Sequence, residues 1–106
     1  MSGLQLGANP TLADLQTYVD EMVKARGFTD DISHRFMLLL EECGEFSRAA
    51  RKHLGGKFAA DTHTAELGEE AADVLIILLG LCNLLDIDLE QAFRAKEEKN
   101  KQRVWK

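Results

Sequence analysis

Proline occurs once in the 106 residues, at position 10, so no ring interrupts a helix anywhere downstream. Aromatic residues make up only 7% of the chain, and β-branched runs are scarce, which argues against a sheet. Two cysteines, Cys43 and Cys82, are too few for a disulfide-stapled scaffold and lack metal-type spacing. Both fall in apolar helical patterns and are expected as small buried hydrophobes in a reducing cytosol. A basic excess is also missing. Thirteen Lys and Arg face eighteen Asp and Glu, a net charge of −5 that excludes the basic footprint of a binder of nucleic acid polymers.

The most apolar run, Val74 to Leu85, is broken by Gly80 and Asn83 and falls short of the roughly 20 apolar residues that span a bilayer. The N-terminus lacks the basic and apolar regions of a secretory leader. A cytoplasmic protein with no membrane partner is expected. His34, His53 and His63 form neither H-x-x-H nor H-E-x-x-H, and no Glu-x-x-His pair occurs, which excludes the usual zinc-hydrolase and di-iron bundle patterns.

What the chain does contain is helix. A hydrophobic content of 45% and a charged content of 29% describe an ordinary globular domain. At this length one domain is expected, and its small core would gain from a partner. Residues 1–10 have little periodicity and read as a flexible arm preceding a single helical domain over 11–106. Thr11 reads as the cap of a first helix in which Leu12, Leu15, Val19, Met22 and Val23 recur on one face, with Gly27 as its stop. A second helix, capped by Ser33 or the preceding aspartates, runs to about His53. Its broad apolar face comprises Phe36, Met37, Leu39, Leu40, Cys43, Phe46, Ala49 and Ala50. Gly55 and Gly56 end it. Lys57 to His63 form a loop, and Thr64 caps a third helix from about Ala65 to Leu85, expected as the centre of the core. Asp88, with Gln91 three residues on, opens a fourth helix to about Arg103. Trp105 is expected to anchor against the bundle or a second subunit.

Two acidic clusters interrupt this pattern. Glu42 with Glu45, and Glu70 with Asp73, each place two carboxylates on one helix face, an arrangement that costs an isolated helix about 0.2–0.5 kcal/mol per pair. The third-helix acids are expected in that helix's first turns, where the macrodipole offsets their charge by about 0.3–1 kcal/mol. If the second and third helices face one another, four carboxylates surround a common point. A hard divalent cation such as Mg²⁺ would offset their repulsion. The alternative is two solvated acidic faces.

Glu41-Glu42-Cys43-Gly44-Glu45 followed by Glu70-Ala71-Ala72-Asp73 resembles the EExxE and ExxD motifs of the MazG-like all-α nucleoside triphosphate pyrophosphohydrolases. Asp73-Val74-Leu75-Ile76 continues the likeness, and Lys96 to Arg103 is similar to the family's basic C-terminal segment. The resemblance covers roughly Ser33 to Lys106. It implies an all-α four-helix bundle completed by dimerisation, as a homodimer or homotetramer. It further implies hydrolysis of a nucleoside triphosphate between the α and β phosphates, giving a monophosphate and pyrophosphate, in the manner of nucleotide-pool housecleaning. Glu42, Glu45, Glu70 and Asp73 would hold Mg²⁺, with Mn²⁺ as a substitute. Adjacent acids leave a Glu66, Glu70 and Asp73 set open.

Glu41 is the candidate for positioning or deprotonating the attacking water, a task Glu45 could share. Lys96, Lys99, Asn100 and Arg103 recur at i, i+3, i+4 and i+7, and so share a face that could meet the substrate. The resemblance assigns base recognition to the segment from Arg26-Gly27-Phe28 through His34-Arg35-Phe36, without indicating a base. Two other readings stand beside this one: hydrolysis of phosphoribosyl-ATP, and a noncatalytic helical dimerisation or nucleotide-sensing module.

Overall fold

The computed structural model describes residues 4–54 and 60–103, the side chains of 60–65 excepted. Four helices and no strand occur among them: α1 (Leu12–Arg26), α2 (Ile32–Leu54), α3 (Ala60–Leu84) and α4 (Leu89–Lys101).

Local chemistry sets most of the ends. Thr11 accepts from the Asp14 amide while the Asp14 carboxylate accepts from the Thr11 amide, a reciprocal cap that opens α1. Gly27 closes it at φ 68°, a left-handed conformation that glycine adopts without a Cβ penalty. The Asp31 side chain accepts from the His34 amide at the start of α2, and Asp88 accepts from the Gln91 amide at the start of α4.

The α2–α3 antiparallel pair is the most extensive contact, α1 lies against α3, and α4 leans on α1. Val19 and Met22 of α1 meet Leu79 of α3 at the centre, with Leu4, Leu12, Leu15, Tyr18, Val23 and Leu89 packed around them. Burying a side chain of this size contributes about 1.5–3 kcal/mol. One amide ties the α3–α4 corner to α1. Gln16 donates to the Ile87 carbonyl at 2.6 Å and accepts from the Leu89 amide, and its own carbonyl accepts from Asn83. Glu90 reaches back to accept from the Ala13 amide in the first turn of α1. No helix among the described residues is long and apolar enough to cross a membrane.

Three expectations change. The third helix begins at Ala60, not near Ala65 after a Thr64 cap, so Thr64 is helical and the loop expected over 57–63 gives way to helix from residue 60. Burial in the apolar run of α3 is concentrated in the single turn Leu79–Cys82, while Leu75, Ile76 and Leu85 are exposed. The broad face of α2 is not buried either. Ala49 is, but Phe36, Phe46 and Cys43 are exposed, and Met37 and Leu40 are 64% and 73% exposed. The reason is geometric. α2 packs against α3 along one side, and among the described residues no other helix makes an extensive contact with it. Cys82 is buried as expected. The glycines expected to end α2, and Trp105, lie outside the described residues.

Candidate metal centre

The α2–α3 pairing brings acids from distant parts of the chain together. One carboxylate oxygen each from Glu42, Glu70 and Asp73 lie within 4.8 Å of one another, with Glu42 and Glu70 half-buried and Asp73 exposed. Glu42 comes from the middle of α2. Glu70 and Asp73 come from one face of α3.

This convergence is electrostatically strained. The Glu42 carboxyl is held above the ordinary carboxylate range, first by desolvation and then by the charges of Asp73, Glu70, Glu45 and Glu41. Glu70 is raised likewise, first by desolvation and then by Asp73, Glu45, Glu66 and Glu69. Nor does the helix end relieve it. Because α3 starts at Ala60, Glu70 and Asp73 stand in the helix interior, beyond the first turn where the macrodipole stabilises negative charge.

The remaining acids lie around the three. Glu45 is close enough to raise both Glu42 and Glu70, but its carboxylate is paired with Arg48. Glu41 is exposed beside the cluster on α2. Glu66 contacts the buried His53 imidazole at 2.5 Å, fastening the end of α2 to α3. Three carboxylates with no histidine or cysteine among them form a hard, anionic donor set, which fits Mg²⁺ or Mn²⁺ better than a softer metal.

The fourth-helix residues are placed differently. Lys96, Asn100 and Glu97 border a small cavity of about 270 Å³ with Leu89, Ala92 and Phe93, on the helix that leans on α1. The Asn100 side-chain oxygen is buried there with no hydrogen-bond partner among the described residues. None of Lys96, Lys99, Asn100 or Arg103 lines the cavity into which Glu42 opens. That cavity, of about 460 Å³, runs between the start of α2 and α3 and is walled by Phe28, His34, Arg35, Leu38 and Ile76, among others. Arg35 is buried in it, and periodicity alone gave no sign of a buried charge at that position.

Comparison with known proteins agrees with this architecture. The MazG nucleotide pyrophosphohydrolase domain matches residues 33–105. The chain belongs to the MazG family. YvdC of Bacillus subtilis, described as uncharacterised, is 31% identical over 96 residues, covering 83% of this chain and 91% of the relative. Among solved MazG-like structures, iMazG from Vibrio DAT 722 superposes with a TM-score of 0.67 at 31% identity, covering 87% of this chain and 99% of the other. YpjD of Bacillus subtilis superposes with a TM-score of 0.72 at 27% identity, covering 92% and 100%. The chain is thus an all-α MazG domain of the nucleotide pyrophosphohydrolase class, and its acidic cluster lies within the matched region.

Proposed function

We propose that this MazG domain hydrolyses a nucleoside triphosphate between its α and β phosphates with Mg²⁺ as cofactor, releasing a monophosphate and pyrophosphate. The observation that carries the reading is the convergence of Glu42, Glu70 and Asp73 within 4.8 Å, a repulsive arrangement placed where neither a helix end nor an arginine relieves it. Glu42, Glu70 and Asp73 would hold the ion, and Glu45 would join them on release from Arg48. Bound there, Mg²⁺ supplies charge neutralisation for the polyphosphate and a lowered pKa for water.

The protein's own groups do the rest. Glu41, exposed next to Glu42, orients the attacking water or takes its proton, provided it comes within hydrogen-bond reach of that water. The cavity beyond Glu42 takes the nucleoside. The uncovered apolar stripe of α2, including Phe36, Met37, Leu40 and Cys43, supports assembly as a dimer or a dimer of dimers. In such an assembly α4 of a second chain would bring Lys96, Lys99 and Arg103 to the polyphosphate and Asn100 to the sugar or base.

Incubation with Mg²⁺ and a panel of triphosphates, with products resolved as monophosphate, diphosphate, pyrophosphate and phosphate, tests the reading. Pyrophosphate should be the first product. Removing a metal carboxylate forfeits several kcal/mol of transition-state stabilisation, so Glu42→Gln or Asp73→Asn should lower kcat/KM on the order of 100-fold or more with helicity unchanged. Orthophosphate as first product, or full activity in both variants, would overturn it.

A further inference from the structure

Arg35 is only 4% exposed, yet no carboxylate pairs with it among the described residues. Its Nε donates to the Thr29 carbonyl at 2.7 Å, while its two terminal nitrogens have no hydrogen-bond partner there. Burying an unpaired cation is expensive, and a fold that keeps one ordinarily supplies a counterpart. Space has also been made for this one. A Cβ built on Gly80 of α3 would stand 2.6 Å from Arg35 Nη1, so the guanidinium occupies the volume that any other residue at 80 would fill.

The surroundings indicate what it meets. Arg35, Leu38 and Glu42 follow one stripe of α2 into the same cavity, whose walls Phe28, Ile76 and Ile77 are apolar and suited to a flat ring. Seven residues of helix separate Arg35 from Glu42, about 10 Å of rise. That is comparable to the reach of a nucleotide from the far edge of its base to its α phosphate. With the phosphates at the carboxylate end, the group left facing Arg35 is the base.

We propose that Arg35 reads the base, and that the base it selects carries a carbonyl where a purine has O6 and a pyrimidine has O4. This rests on the nucleotide reading above. A guanidinium offers donors only. It pairs with O6 and N7 of guanine, or with O4 of uracil or thymine, and opposes the amino group that adenine or cytosine presents at that edge.

Calorimetric titration of the intact protein with α,β-methylene analogues of GTP, UTP, ATP and CTP, in Mg²⁺, reads the preference without turnover. The guanine and uracil analogues should bind about 10–100-fold more tightly than the other two, the range expected for hydrogen bonds to a charged donor. Arg35→Gln should erase that ratio, chiefly by weakening the guanine and uracil analogues. Arg35→Lys, which keeps the charge without the planar fork, should retain only part of it. Gly80→Ala crowds the guanidinium without removing it and should weaken the keto analogues selectively, which provides the test if Arg35→Gln does not fold.

Equal affinities, a preference for amino-bearing bases, no binding, or a uniform loss in a folded Arg35→Gln would each overturn the inference. Pyrophosphate release from all four triphosphates without preference would overturn it and leave the hydrolytic reading standing. A keto preference in binding with no pyrophosphate released would do the reverse.

Discussion

Glu45 and Arg48 form an ion pair along α2, one turn past Glu42, so a carboxylate whose charge raises both Glu42 and Glu70 is engaged by a cation of its own helix. Both partners are largely exposed, and pairs of this kind are worth about 0.2–1 kcal/mol. A divalent ion would outcompete the arginine easily. Arg48→Gln should therefore leave stability nearly unchanged and tighten Mg²⁺ binding by up to about fivefold in calorimetric titration. Unchanged affinity would mean that Glu45 stays outside the metal shell.

The raised carboxyls of Glu42 and Glu70 give stability a definite pH dependence. In the folded, metal-free chain they hold their protons more tightly than when unfolded, so folding is favoured while both are protonated. Stability is lost as pH rises from the ordinary carboxylate range through the raised values. Adding Mg²⁺ at neutral pH should restore it, by about 2.7 kcal/mol at one hundred times Kd. Thermal melts in EDTA and in Mg²⁺ at several pH values check this. A metal-free protein that gains stability across that window contradicts the account of the cluster.

Gly68 lies inside α3, exposed, with nothing among the described residues within 4 Å of the place a Cβ would occupy. Replacing it with alanine removes the backbone entropy of glycine at no steric cost. Gly68→Ala should add about 0.5–1 kcal/mol in urea unfolding. Destabilisation instead would show that another surface approaches that turn.

The bare stripe of α2 makes the assembly testable at one residue. Leu40 is the most exposed of its large apolar side chains, and a charge there would have to be desolvated in any interface. Leu40→Glu should lower the mass measured by light scattering to that of a single chain, with helical circular dichroism retained. An unchanged mass would exclude this face as the contact.

Local signals made much of this molecule readable in advance. Thr11 with Asp14, Gly27 and Asp88 act within four residues of themselves, so their caps and stops stand where their chemistry suggests. Thr64 has the chemistry of a good cap, yet the backbone is already helical from Ala60, so a local signal points to the wrong start of α3. The apolar periodicity of Phe36, Met37 and Leu40 signals burial but cannot say whether the cover comes from the same chain. The convergence of Glu42 with Glu70 and Asp73 depends on which helices pair; a four-helix bundle allows that pairing, and periodicity does not choose it. Arg35 carries no periodic signal, and only the family resemblance points to its segment. Its burial becomes visible only beside Gly80, on a different helix.

The early start of α3 also bears on how long a bound ion would stay. Ten helical residues, nearly three turns, precede Glu70. Helix ends fray at little cost while interior turns open only with larger parts of the fold. Glu70 and Asp73 are therefore insulated from that breathing, and so their grip does not loosen each time the first turn of α3 unwinds.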